Sequence, residues 1–130
     1  MAKEHISESL KTFIREKIQT VLRLEVLLLL QHHPSRSFTV AEVANELGFE
    51  KDAAKDQLRA LEEIGVIAHS NSDKPTYTYH PANATLRSMV EQLAAGYAKQ
   101  RVPVLSTILA DHSDRTRLFA EAFRIIRRND

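Results

Sequence analysis

Residues 38–65 constrain the fold most strongly, because they have the pattern of two short helices that are each followed by a glycine. Thr39 can cap the first helix, residues 40–47, and Glu42 completes a capping box three residues later. Gly48 then ends that helix, since glycine readily adopts the left-handed conformation that closes a helix. The first helix therefore has a clear signal at each end.

The second helix of this stretch is predicted over residues 50–63. Its apolar residues Ala54, Leu58 and Leu61 recur at helical spacing and should face inward. Gly65 is expected to end this helix in the same way as the first. Two short helices joined by a tight turn indicate a helix-turn-helix.

Two strand patterns follow these helices. Residues 66–69 and 76–79 are rich in β-branched and aromatic side chains, and the polar residues 70–75 between them favour a turn. Tyr77 and Tyr79 are expected to pack against the core. The predicted fold class is mainly α with a small β-hairpin, which is a winged helix-turn-helix.

Helical patterns flank this unit on both sides. Residues 1–19 predict an N-terminal amphipathic helix, and residues 20–80 form the winged helix-turn-helix domain, beginning with a leucine-rich helix that Thr20 can cap. Residues 81–130 predict a long C-terminal helix followed by a short terminal helix. Pro103 must kink or divide the long helix, because its ring clashes with the carbonyl group four residues back.

The C-terminal helices carry an apolar seam whose residues recur in steps of about three and four, which is typical of a helix-packing surface. We expect a homodimer that forms through this seam and through the terminal helix. The predicted self-association residues are Leu86, Val90, Leu93, Tyr97, Val104, Ile108, Phe119 and Phe123.

The sequence lacks the signals of several functional classes. It has no cysteine, no phosphate-binding glycine loop and no serine elbow, so we expect no enzyme. Its six histidines lack the spacing of a metal-ligand pair, and we expect neither a metal site nor a cofactor. The longest apolar run, residues 26–30, is far shorter than the roughly 20 residues that span a bilayer. With no export-type leader either, a cytoplasmic protein is expected.

Residues 38–49 (FTVAEVANELGF) and 58–67 (LRALEEIGVI) closely resemble winged helix-turn-helix transcription regulators of the MarR and ArsR type. The resemblance covers roughly residues 21–79, and the whole chain also resembles a group of bacterial proteins that carry this domain. It implies a DNA-binding transcription regulator. In such proteins the second helix of the motif enters the major groove and the wing touches the flanking backbone.

The candidate contacts to double-stranded DNA lie on the second helix and the wing. Between residues 36 and 80 eight acids outnumber five bases, giving a net charge of −3, whereas residues 81–130 carry eight bases and five acids. The outward face of the second helix also carries Asp52, Asp56 and Glu63. The predicted DNA-binding residues are Lys51, Lys55, Gln57, Arg59 and Lys74.

These acids leave alternatives open. The outward charges could form a solvated face, with Asp52 paired to Lys55 and Asp56 to Arg59 at helical spacing. The domain could instead contact a protein partner, as an interaction module or adaptor with little or no DNA binding. A third hypothesis is that the arginine-rich tail after residue 123 touches nucleic acid.

Overall fold

The computed structural model describes residues 7–111, which form helices joined by a small sheet. Helix α1 spans Glu8–Phe13 and runs directly into a π-helical turn, Ile14–Ile18. The remaining elements are α2 (Val21–His32), β1 (Phe38–Thr39), α3 (Val40–Leu47), α4 (Lys51–Ile64), β2 (Ile67–His69), β3 (Thr76–Tyr79), α5 (Ala84–Lys99) and α6 (Arg101–Asp111). The predicted fold class, mainly α with a small β-hairpin, is confirmed. The predicted terminal helix, with Phe119 and Phe123, lies outside the described residues.

Side-chain caps begin four of the helices. The side-chain oxygens of Ser7, Thr20 and Thr39 each accept a hydrogen bond of 3.1 Å from the backbone N–H three residues later. Asn83 caps α5 in the same way, at 2.8 Å. Each cap satisfies one backbone donor that has no partner within its helix. The caps predicted at Thr20 and Thr39 are confirmed.

The two glycines that follow α3 and α4 adopt the left-handed conformation, with φ of 76° at Gly48 and 97° at Gly65. Each ends its helix as predicted, because glycine has no Cβ to oppose a positive φ. Helix α3 has the predicted bounds, and α4 begins and ends one residue later than predicted.

The sheet contains three antiparallel strands in the order β1-β3-β2. Tyr77 of β3 lies opposite Phe38 of β1, and Tyr79 lies opposite Ile67 of β2. These four side chains are buried, whereas the threonines of β3 alternate with the tyrosines and lie on the other face. The predicted packing of both tyrosines against the core is confirmed. The hairpin gains β1 as a third strand, because the backbone before α3 pairs with β3.

The core centres on α2, which packs against α3, α4, β3 and the π-helical turn. Leu24, Leu27 and Leu30 are fully buried, in agreement with the burial expected for this leucine-rich helix. On the N-terminal side, Ile14 and Ile18 are also fully buried. The chain therefore enters α2 from a helical turn that is itself anchored in the core.

The predicted long C-terminal helix is divided into α5 and α6 at Gln100. Pro103 explains this position, because it cannot donate a hydrogen bond to the carbonyl of Lys99, where α5 ends. Within α6, Pro103 lies in the first turn, where a backbone N–H has no acceptor inside its own helix.

The apolar seam of α5 and α6 packs largely inside the chain. Val90, Leu93 and Val104 are fully buried and Ile108 is 2% exposed, because α1 contacts α5 and the π-helical turn contacts α6. Leu86 and Tyr97 are partly buried against the same core. Val90, Leu93, Val104 and Ile108 therefore belong to the core of one chain, whereas the self-association predicted for the partly exposed Leu86 and Tyr97 stays a prediction. A second copy could contact the four buried side chains only if these helices separated from the core.

Candidate nucleic-acid interface

Three basic side chains follow one flank of α4 at intervals of four residues. Lys51, Lys55 and Arg59 are all exposed. A helix turns by about 100° per residue, so residues four apart differ by only about 40° and these three side chains form a line along the helix. We call these three residues the basic stripe. They are three of the five residues that the sequence predicted as DNA contacts.

The basic stripe lies on the flank of α4 that faces the wing. Glu62 lies on this flank, and its carboxylate is hydrogen-bonded to the Nδ1 atom of His69 in β2. The His69 ring also lies 5.9 Å from the ring of Tyr77, measured between centroids. The wing is therefore joined to α4 near the end of the helix, and Glu62 has a partner of its own.

A groove separates the start of α4 from the tip of the wing. It has a volume of about 570 Å³ and is lined by Lys51 on one side and by Asp73, Lys74 and Pro75 on the other. Glu42 also lines this groove, but its carboxylate accepts the backbone N–H of Thr39 at 2.9 Å in the capping box. The structure thus brings Lys74, the fourth predicted DNA contact, to the same groove as Lys51.

The bases of the basic stripe form no ion pair with neighbouring acids. Within residues 7–111 the ion pairs are Lys11 with Glu8 and His69 with Glu62, so none of the three bases is paired. The pairs expected along a solvated helix face, Asp52 with Lys55 and Asp56 with Arg59, are not formed. The basic side chains remain available to an external anion.

A second line of charge runs beside the first. Asp52, Asp56 and Glu63 are exposed, as predicted, and their spacing places them together on the outermost face of α4. We call these residues the acidic stripe. The exposed surface of α4 is therefore divided lengthwise, with bases toward the wing and acids outward.

Gln57, the fifth predicted DNA contact, lies apart from the other four. It is partly buried on the flank of α4 that faces α2, and its side-chain oxygen accepts a hydrogen bond of 2.9 Å from Nε of Arg23. Burial lowers the pKa of the Arg23 guanidinium below its ordinary value. Arg23 was not among the residues predicted from the sequence, although a basic residue inside the leucine-rich α2 indicates that a buried polar contact is needed.

The part of the chain that the structure describes gives no indication of a metal centre or a membrane span. No group of three or more His, Asp or Glu side chains among these residues is placed to hold a metal ion. None of the helices in this part is long and apolar enough to cross a membrane.

The comparisons with known proteins find similarity in structure but not in sequence. No protein-family model and no curated protein matches the chain. MepR of Staphylococcus aureus, a transcription regulator of the multidrug efflux pump MepA, is similar with a TM-score of 0.53 and 14% identity over 94% of this chain and 91% of its own. The S. aureus MepR–DNA complex matches with a TM-score of 0.51 and 13% identity, over 94% of this chain and 91% of that chain.

A transcriptional regulator from another organism has the same architecture. Tm0710 of Thermotoga maritima matches with a TM-score of 0.51 and 13% identity, covering 93% of this chain and 85% of its own. At such identities the likeness concerns the fold. The chain shares the fold of these transcription regulators, which confirms the predicted winged-helix fold.

Proposed function

We propose that this chain is a transcription regulator that binds double-stranded DNA as a homodimer in the bacterial cytoplasm. The observation that carries the proposal is the basic stripe, whose three bases are exposed and unpaired, with Lys51 at the same groove as Lys74 of the wing. Contacts to phosphate supply much of the affinity of proteins for DNA. The MepR–DNA complex, whose protein has this fold, supports a DNA-binding role.

The two stripes have different roles in this proposal. The major groove is about 12 Å wide and accepts an α-helix, so α4 can enter it with its wing-side flank toward one phosphate backbone. The basic stripe and Lys74 then contact phosphates. The acidic stripe faces the base edges, where a carboxylate can accept a hydrogen bond from the amino group of cytosine. Gln57 is assigned no direct DNA contact, because its side-chain oxygen is bonded to Arg23.

The dimer is proposed to form through α6 and the predicted terminal helix. Val102 and Leu109 are 70% and 64% exposed, and a separation of seven residues places them on one face of α6. This apolar face is continuous in sequence with the predicted terminal helix that carries Phe119 and Phe123. A two-fold dimer would place two copies of α4 about 34 Å apart, one turn of DNA.

DNA retention tests the proposal directly. The purified full chain is mixed with fragmented genomic DNA, including the region upstream of its own gene, at salt concentrations from about 50 to 200 mM. We expect specific fragments to be retained and then released as salt rises. Lys99→Gln, which changes an exposed base on α5, should bind as the wild type does. Retention of no fragment at any salt concentration would refute the DNA-binding proposal, and a stable protein partner would then favour the interaction-module alternative.

Light scattering tests the dimer separately. Across the micromolar range the wild-type chain should have the mass of two chains. The double variant Val102→Glu/Leu109→Glu should have the mass of one chain, because it places charges on the proposed apolar contact. Gln92→Glu on α5 is the matched control and should remain dimeric. A wild-type mass of one chain throughout would contradict the proposed dimer.

A further inference from the structure

Arg23 joins three parts of the molecule through its side chain. Its Nε atom donates to the side-chain oxygen of Gln57 in the middle of α4, at 2.9 Å. One terminal guanidinium nitrogen donates to the main-chain oxygen of Lys17, at 3.1 Å, and to the side-chain oxygen of Gln19, at 3.2 Å. One guanidinium therefore connects the turn before α2 to the helix that carries the basic and acidic stripes.

The acceptors of Arg23 are uncharged. Among residues 7–111 no carboxylate lies within 4 Å of its guanidinium, and burial lowers its pKa from the ordinary value. A partly desolvated charge without an acid partner depends on its hydrogen bonds for compensation. Since the guanidinium is planar and its donors have fixed directions, these bonds also restrict the relative positions of the acceptors.

The turn at the other end of this connection is itself firmly held. Gln19 has a φ of 69°, and a positive φ is uncommon for residues other than glycine. Its backbone N–H donates to the carbonyl of Ile14, at 2.8 Å, and closes the π-helical turn. Ile14 and Ile18 are fully buried. The turn therefore has a fixed position, and the hydrogen bonds of Arg23 link α4 to it.

We propose that Arg23 is a positioning residue for DNA recognition, which sets the orientation of α4 by holding Gln57 to the turn at Lys17 and Gln19. This inference rests on the proposed DNA-binding function. The guanidinium bonds to the N-terminal turn and to Gln57, which lies on the flank of α4 opposite the basic stripe. Its loss should disturb how α4 meets the bases without removing a phosphate contact.

The test compares Arg23→Met, Gln57→Met and the double variant with the wild-type chain. Affinity is measured for a retained genomic fragment and for a scrambled duplex of equal composition, each over a series of salt concentrations. Amide hydrogen exchange across α4 is measured in the absence of DNA. Arg87→Met, which removes an exposed arginine of α5, is the matched control. Gln57→Met keeps the other two hydrogen bonds of Arg23, so it remains informative if Arg23→Met fails to fold.

We expect Gln57→Met, which breaks one hydrogen bond to a charged group, to lose about tenfold in its preference for the genomic fragment, and Arg23→Met, which breaks three, to lose at least as much. The salt dependence should be unchanged, and exchange across α4 should be faster. The double variant should be no worse than the more impaired single variant, because both substitutions break the same contact. Arg87→Met should match the wild type in all three measurements.

Three results would overturn the proposal. A salt slope reduced by about 0.9 for each bound copy of Arg23→Met, or about 1.8 for the dimer, would make Arg23 a phosphate contact. Additive losses in the double variant would make Gln57 an independent base contact. An unchanged sequence preference would remove any role in recognition.

If no DNA is retained even by the wild type, the proposed function fails. In that case amide hydrogen exchange is the remaining test of whether Arg23 holds α4. Wild-type exchange rates across α4 in both single variants would show that it does not.

Discussion

The two helices of the motif, α3 and α4, end alike but begin differently. Both end at a glycine with positive φ, and both bury apolar residues of the same core. Helix α3 begins with a complete capping box between Thr39 and Glu42. Helix α4 begins at Lys51, and the side chain of the preceding residue, Glu50, makes no capping hydrogen bond.

This difference shows what holds each helix in place. In the first turn of α3, the capping box provides hydrogen-bond partners for backbone N–H groups. The helix also follows directly from β1, so the sheet fixes where α3 begins. The first turn of α4 lacks such a cap, and this helix depends on the fully buried Ala54, Leu58 and Leu61 and on Arg23 at Gln57. Helix α3 is thus held at its N-terminal end as well as by its buried residues, whereas α4 is held by its sides and leaves its N-terminal end exposed at the wing groove.

The shared C-terminal arrangement predicts the largest effect. Gly65→Ala should lower the free energy of unfolding by about 2 kcal/mol, because an alanine is forced into a left-handed conformation. Gly48→Ala should cost about 1 kcal/mol, since its φ of 76° is closer than 97° to the region that other residues tolerate. Urea unfolding of both variants checks the order. A larger loss of stability for Gly48→Ala than for Gly65→Ala would contradict the explanation of this order by φ.

Removal of the α3 cap should have a smaller effect. Thr39→Ala removes the oxygen that accepts the backbone N–H of Glu42 and should destabilise the chain by about 1 kcal/mol in urea unfolding. Glu42→Gln is the matched control, because glutamine can complete the same box. Stability unchanged by Thr39→Ala would mean that β1, rather than the cap, holds the start of α3.

Supplying a cap to α4 should have the smallest effect, and one of opposite sign. Glu50→Ser introduces a preferred capping residue at a position with extended backbone and should raise the free energy of unfolding by about 0.5 kcal/mol. Glu46→Ser on α3 removes an acid outside a cap position and should stay within about 0.5 kcal/mol of wild type. If Glu50→Ser destabilises the chain and Glu46→Ser does not, Glu50 already supports α4 in another way.

Features with short-range signals could be predicted from the sequence. The caps at Thr20 and Thr39 and the turns at Gly48 and Gly65 each depend on a few neighbouring residues, and all four are observed. The inward residues Ala54, Leu58 and Leu61 followed from helical periodicity alone. The exposure of the basic and acidic stripes followed from the same periodicity, so most of the candidate interface could be found before the structure.

Features that depend on distant contacts could not be predicted. Gln57 and Arg23 are 34 residues apart in sequence, and the periodicity of α4 places Gln57 on a flank without naming its partner. The seam of α5 and α6 has the same pattern whether it faces a second copy or the N-terminal helices, so burial inside the chain was not foreseen. The π-helical turn likewise has no distinct pattern in its five residues.

The most direct test of the account is the salt dependence of DNA binding when the two stripes are altered separately. The basic-stripe variant Lys51→Gln/Lys55→Gln/Arg59→Gln should reduce the slope of log affinity against log salt by about 5.4 for a bound dimer, because each of the two copies loses three phosphate contacts and about 0.9 is lost for each contact. The acidic-stripe variant Asp52→Asn/Asp56→Asn should keep the wild-type slope and change the preferred sequence instead. An unchanged slope in the basic-stripe variant, with binding retained, would contradict the claim that this flank of α4 contacts DNA.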